Sequence, residues 1–293
     1  MLYTGIEHLS LMTYGWAILI IAVVLGALFQ LGIFNASNFA VKAPPGSCQA
    51  YRPNGPGTTV QGLEGECINA LPQYVAQFNG ATSNVVAPGP LLPNSITQFS
   101  ESVWIYVSSE GSAPVVFTVA GESSDWVIGI CNGYSPCAPN NGLVTAAIGL
   151  EGGGNANTGS NSIPLNTWVN IVGTYDNGAT TIYLNGFPDG TYPNLNLNVN
   201  GAPTGIVIGS GGGNSFFTGD ISNVQIYNVT FTAAEANALY TEGIGGAPVK
   251  PQNLVGWWPL NGNANDYSGN NNNGAATSVT YSGSWSRQYA GPV

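Results

Sequence analysis

LNTWVNIVGTYDNGATTIYLNG, residues 165–186, holds two apolar runs around an Asp-Asn-Gly turn. TWVNIVGTYD (167–176) and TTIYLNG (180–186) are short, rich in Val, Ile, Trp and Tyr, and bounded by Asn, Asp and Gly, as strands are. Asn-Gly between two such runs suits the left-handed turn that closes a two-residue β-hairpin. LNGFPDG (184–190) repeats the signal one strand later.

The same punctuation continues on both sides. SITQFSESVWIYV (95–107), APVVFTVAG (113–121), DWVIGIC (125–131), LVTAAIGL (143–150), GIVIGS (205–210) and GDISNVQIYNV (219–229) read as further strands. Strands at this regular spacing predict a mainly β sandwich or jelly roll. TAAEANALYTEG (232–243) is the one helical run of the β region, with Thr232 and Glu235 forming a capping box and Gly243 ending it.

Composition narrows the class of function. Charged residues are 6% of the 293, against about 25% in an average soluble domain. The four basic residues, Lys42, Arg52, Lys250 and Arg287, exclude nucleic acid as a partner, because phosphate affinity needs clustered cations. The net charge of −10 rests on 14 carboxylates. In strong acid it becomes about +5, and so few charged groups leave little pH-dependent repulsion, which suits an acidic habitat.

Cys48, Cys67, Cys131 and Cys137 lack zinc-site spacing, and His8 is the only histidine. The sequence-local pairings Cys48–Cys67 and Cys131–Cys137 are the simplest of three connectivities, and disulfides would place the domain outside a cell. Four buried thiols are the alternative. Asn35 and Asn228 open Asn-x-Ser/Thr glycosylation sequons.

LMTYGWAILIIAVVLGALFQLGIF (11–34) carries no charge. As a helix it would extend about 36 Å, enough to cross a bilayer core. The segment resembles the N-terminus of archaeal type IV pilin-like proteins. That resemblance implies a removed leader, a prepilin peptidase, a membrane assembly machinery, and a homopolymer built through N-terminal helices. Glu7 would be the family's glutamate, either capping the helix at the membrane surface or meeting a neighbour's N-terminal amine. Gly15, Ala22 and Gly26 are small enough to let helices approach closely.

The β region resembles the laminin-G-like, concanavalin A-like sandwich. The resemblance is carried by AQFNGATSNVVA (76–87), FSESVWIYV (99–107), the 165–186 hairpin, IVIGSGGG (206–213) and FFTGDISNVQIYNVTFTAAEANALYTEG (216–243). In that family a strand and loop like LVGWWPLNGNANDYSGNNNNG normally precede the FNG strand. Here that segment occupies residues 254–274, after the helix. A circular permutation, a truncated second repeat and a strand donated to a neighbouring subunit all fit. The expected organisation is an N-terminal apolar helix at 1–36, a linker at 37–59 and the sandwich at 60–293, its first strand moved to 253–283.

The family also implies calcium, with Asp266 as the matching residue, Asn270 or Asn272 adding neutral oxygens, and Asp220 nearby. Trp104, Trp126, Trp168, Trp257, Trp258, Tyr134 and Tyr175 could stack on sugars or fill the core. Neighbouring Trp257 and Trp258 must point to opposite faces of a strand. No glycanase pattern is present: Glu101 and Glu110 flank a strand, and Glu122 and Asp125 form a turn-rich pair. A non-enzymatic extracellular role is therefore expected. The first expectation is an archaeal surface filament for adhesion, inserted in the membrane before assembly. The alternative is a membrane-anchored lectin-like protein that binds surface glycans.

Overall fold

The computed structural model describes residues 16–25, 48–51, 62–65, 71–89, 91–92, 97–109, 115–120, 126–132, 144–150, 156–193, 205–211 and 216–289. The chain divides into two compact units, Met1–Ser47 and Cys48–Val293. In the first, residues 16–25 form a helix, α1, whose large apolar side chains are exposed. Among the described residues no helix is long and apolar enough to cross a membrane. Glu7, Gly15, Gly26 and Asn35 lie outside the described residues, and Ala22 lies in α1.

In the second unit β1 (Cys48–Tyr51) and β2 (Gly62–Gly65) form a two-stranded antiparallel sheet. Residues 48–51 of this pair fall within the stretch expected as a linker, 37–59. CQAY pairs residue by residue with GLEG, from Cys48 opposite Gly65 to Tyr51 opposite Gly62. Cys48 sits in β1, while Cys67 and Cys137 are outside the described residues.

Two larger antiparallel sheets follow. The first is ordered β12 (Phe187–Tyr192), β11 (Ala179–Leu184), β10 (Trp168–Asp176), β5 (Gln98–Val107), β14 (Thr218–Tyr227), β3 (Val75–Asn79), β17 (Thr280–Ser282), with β15 (Leu254–Trp258) also on β14. The second is ordered β16 (Ala275–Thr277), β4 (Asn84–Pro88), β13 (Gly205–Ile208), β6 (Val115–Ala120), β7 (Trp126–Asn132), β8 (Val144–Leu150), β9 (Ala156–Ser162). Cys131 lies in β7. The eight strands read from sequence all form. Residues 156–162 and 187–192 form strands that the sequence hides, because β9 is ANTGSNS and β12 is FPDGTY, polar runs with Pro or Gly.

The opening hairpin forms as read. Asn177 and Gly178 have φ of 46° and 101°, and Asn185 and Gly186 have 50° and 81°, the left-handed geometry of tight hairpin turns. Gly186 has a second reason to lack a side chain. A Cβ there would lie 2.9 Å from the Cα of Asn237, in the helix α2 (Ala233–Glu242). Helix α2 carries the predicted capping box: Thr232 N–H donates to Glu235 Oε2 at 2.8 Å, and Glu235 N–H donates to Thr232 Oγ1 at 3.4 Å. Gly243 ends it.

Strand alternation splits the buried residues between two layers. Phe99, Val103, Ile105, Ile171, Ile226 and Trp258 face the second sheet and meet Val85, Ile128, Ile206 and Ile208. The other face of the first sheet carries Trp104, Trp168 and Tyr240 in one cluster, and Val172, Tyr183, Tyr227 and Leu239 in another, both including α2 residues. Residues after β17 join the first of these. Trp168 Nε1–H donates to Ser286 O at 2.7 Å, its backbone N–H donates to Gln288 O at 2.7 Å, and Trp285 and Tyr289 pack edge-on against Trp168 and Trp104.

Glu101, expected to flank a strand, instead lies within one, on the inward face of β5 between Phe99 and Val103, with Gly173 and Ile226 as strand partners. It is fully buried, and burial raises its carboxyl well above the ordinary value. Asp220 in β14 is pushed from 3.8 to about 6 by burial, against the opposing hydrogen bond from the Gln77 side chain. A carboxyl raised in the fold keeps its proton where the unfolded chain has lost it. Its stabilisation is complete below pH about 4 and fades as pH rises through the folded value. The domain is therefore expected to melt at a higher temperature at pH 4 than at pH 7, with Asp220 contributing about 2 kcal/mol of the difference. Melting curves of Asp220→Asn across this range should show a shallower dependence; an unchanged slope would remove Asp220 from the explanation.

Candidate functional site

Residues 254–274 build the site. Residues 254–258 pair with β14 of the same chain, Trp258 opposite Val224 and Trp257 opposite Gln225. The two tryptophans point to opposite faces, as adjacent strand residues must. Trp258 is buried in the inter-sheet core, with its Nε1–H donating to Asn272 O at 3.0 Å. Trp257 is half-buried on the other face.

β15 leaves one edge without a strand partner, and the Asn-rich loop covers it. Asp266 Oδ1 accepts Trp257 N–H at 3.0 Å and Ser268 N–H at 2.8 Å. Asp266 Oδ2 accepts Asn272 N–H and Ser268 Oγ–H, both at 2.9 Å. Tyr267 N–H donates to Trp257 O at 2.7 Å. The amides of Asn270 and Asn272 donate to Val255 O at 2.9 and 3.2 Å. Side chains thus supply the hydrogen bonds that a neighbouring strand would have made.

This arrangement decides how Asp266 meets the calcium expectation. Its two oxygens already accept four donors, and the backbone N–H dipoles aimed at it would repel a cation. Asp266 does not fit a calcium ligand in this geometry. Asp220 is also elsewhere: it pairs with Gln77 and Tyr106, five positions before Gln225 on β14, roughly 15 Å along the strand from the Trp257 register. Among the described residues no group of three or more His, Cys, Asp or Glu gathers to hold a metal ion.

On the solvent side, Tyr267 is 54% exposed and meets Trp257 edge-to-face, with ring centroids 6.2 Å apart. Trp257 Nε1–H donates to Asn223 Oδ1 at 2.7 Å, and Asn223 Nδ2–H donates to the Gly246 carbonyl at 3.0 Å, so the indole is held from below. Asn223 sits at φ 52°, beside the register shift between Ser222 and Gln225, which turns its amide toward the indole. Asn263 Nδ2–H donates to Tyr267 Oη at 3.2 Å. Tyr74 borders the patch: its N–H donates to Asn261 Oδ1 at 2.8 Å, and its ring lies against Gly262. The result is a fixed, mostly neutral aromatic surface ringed by amides.

Of the seven aromatic candidates, Trp257 alone takes this place among the described side chains. Trp104, Trp168, Trp258 and Tyr175 are buried. Trp126 has its backbone in β7, and Tyr134 is outside the described residues, as are Glu110, Glu122 and Asp125. Sequence reading missed Tyr267 and Asn223. Tyr267 directly follows the Asp of an Asx-type turn, which turns its side chain outward while its N–H closes on the strand; that position was the available signal. The bulge that aims Asn223 left none.

A laminin-G-type family model, described as the concanavalin A-like lectin/glucanases superfamily, matches residues 79–237. Similar solved structures include a candidate carbohydrate-binding protein from Bacteroides ovatus, 18% identical, with a TM-score of 0.54 over 72% of this chain and 60% of that one. They also include the heptameric SAP-like pentraxin of Limulus polyphemus, 14% identical, with a TM-score of 0.50 over 71% of this chain and 94% of that one. This chain thus spans 60% of the length of the Bacteroides protein. At these identities the likeness establishes the fold. No curated protein matches the sequence.

Replacing Asp266 with Ala leaves three N–H groups without their acceptor and is expected to cost roughly 2–4 kcal/mol in urea denaturation, with Asp266→Asn falling between. Because donors already saturate the carboxylate, the melting temperature should be the same in calcium and in a chelator. A rise of several degrees with calcium would overturn that assignment.

Proposed function

The chain belongs to the concanavalin A-like lectin/glucanases superfamily, and from that membership we propose that its sandwich is a non-catalytic carbohydrate-binding module working outside the cell. The observation that carries the reading is the exposed Tyr267 ring braced by Trp257. A rigid aromatic face costs little entropy to present, and its apolar surface suits the C–H face of a sugar ring. Surrounding amides from Asn261, Asn263 and Asn265 offer both donors and acceptors to hydroxyl groups. The neutral surroundings suit an uncharged glycan. The B. ovatus neighbour, described as a candidate carbohydrate-binding protein, supports the same reading. Chain order, with 254–282 completing both sheets after α2, is read as a permuted arrangement of the family domain.

Glycan-array screening of the chain should yield neutral saccharide ligands. Against the best of them, Tyr267→Ala and Trp257→Ala are each expected to weaken binding about tenfold or more, equivalent to about 1.4 kcal/mol, with Tyr267→Ala leaving the melting temperature nearly unchanged. Full affinity in both variants would place the binding surface elsewhere.

A filament is the second reading, favoured by α1. Trp16, Ile18, Leu19, Ile20, Ile21 and Val23 are each more than half exposed, on successive sides of the helix. Such a surface requires a cover, either lipid or other copies of the same segment. In the filament the segments bundle into a core, after a prepilin peptidase and membrane machinery have acted, and the sandwich is displayed for adhesion. Electron microscopy of material sheared from source cells should show uniform threads containing the chain. Detergent-soluble monomers without threads would leave the anchored lectin-like protein alone.

A further inference from the structure

One of the two sequons lies wholly within the described residues, and its geometry suits modification. Asn228 follows β14 and is exposed. Its backbone N–H donates to Asn253 O at 3.0 Å, and its Oδ1 accepts Asn253 Nδ2–H at 3.0 Å. The second bond selects the amide orientation and leaves Nδ2 directed away from Asn253, with no hydrogen bond among the described residues. The two following residues are fastened. Val229 O accepts Ser100 Oγ–H at 2.7 Å, and Thr230 Oγ1–H donates to Tyr175 O at 2.7 Å. The acceptor nitrogen therefore stands out from a rigid stem.

We propose that Asn228 carries an N-linked glycan. This inference rests on the extracellular placement in the reading above. The donor is a saccharide linked to a lipid phosphate, and the catalyst is a membrane oligosaccharyltransferase. A bond forms between Nδ2 and the anomeric carbon of the saccharide. The bond from that carbon to the phosphate oxygen breaks, Nδ2 gives up one proton, and the lipid phosphate departs. Nothing is oxidised or reduced.

The finished structure accommodates the product. Attachment replaces an N–H that has no partner, and Oδ1 stays free to accept from Asn253, so no native hydrogen bond is lost. Val229, Val249 and Leu254, around Asn228 and its partner Asn253, are apolar and only partly buried against the α2-side cluster. A glycan rooted there would lie over that rim and shield it.

The test is peptide mass spectrometry of the full chain isolated from source cells, paired with protease shaving of intact cells to locate it. The expected result is a surface-exposed chain whose peptide spanning residue 228 carries a saccharide mass. Asn228→Gln should lose the increment completely, and Thr230→Ser, which keeps the sequon, should retain it. A surface-exposed chain with that peptide unmodified overturns the glycan while leaving the extracellular reading intact. A chain protected from the protease, with the peptide unmodified, overturns both.

Discussion

β14 sets the terms for everything around it. It is a ten-residue strand. A strand of that length presents a row of N–H and C=O groups on each side, and each buried group needs a partner. β5 serves one side. The other is divided, with β3 taking residues 218–221 and β15 taking 224–227. Without residues 254–258, half of that side would be bare above the core and Trp258 would leave a void where Val224 and Ile226 pack. The late position of LVGWW in the chain therefore matters less than its position in the sheet. Where a strand lies in sequence is free, provided the connection reaches; that it lies on β14 is not.

The same demand accounts for the composition of the next loop. NGNANDYSGNNNNG looks like low-complexity filler, yet its carboxylate and amides close the outer edge of β15 one backbone group at a time. An edge covered in this way cannot template another strand, and it needs no further length of sheet. Asparagine serves here because one short side chain supplies both a donor and an acceptor. Asn270 donates to strand carbonyls, whereas Asn273 accepts the N–H of Asp266.

Much of the fold was legible in the sequence, and the reason is local. Asn177-Gly178 and Asn185-Gly186 reach left-handed geometry at little cost, so the turns declare themselves, and Thr232 with Glu235 announces the start of α2. Strands with aromatic and β-branched residues were visible for the same reason. β9, β12 and the β1–β2 pair were not. Their side chains carry little apolar pattern, and they are strands because neighbours supply hydrogen bonds. The site divides along the same line. Trp257 could be picked out by its place in WW, but the partners that fix it, Asn223 and Tyr267, come from a strand irregularity and from a loop 40 or more residues away from one another. Asp266 was legible as a loop residue, though the donors that occupy it come from Trp257, Ser268 and Asn272, an arrangement visible only once the loop has closed on the strand.

The bond between Tyr74 and Asn261 has a mechanical consequence. Tyr74 immediately precedes β3, the first strand of the large sandwich, and Asn261 lies three residues after β15. The chain enters the sandwich beside the aromatic patch. Tension between a ligand gripped at Trp257 and the upstream chain would pass through Asn261 and through the hydrogen bonds by which β3 and β15 share β14. Those bonds lie across the strand direction and so are loaded together, in shear. The force path is short, and because Trp258 of β15 and Val224 of β14 both lie in the inter-sheet core, load at the patch would reach that packing directly.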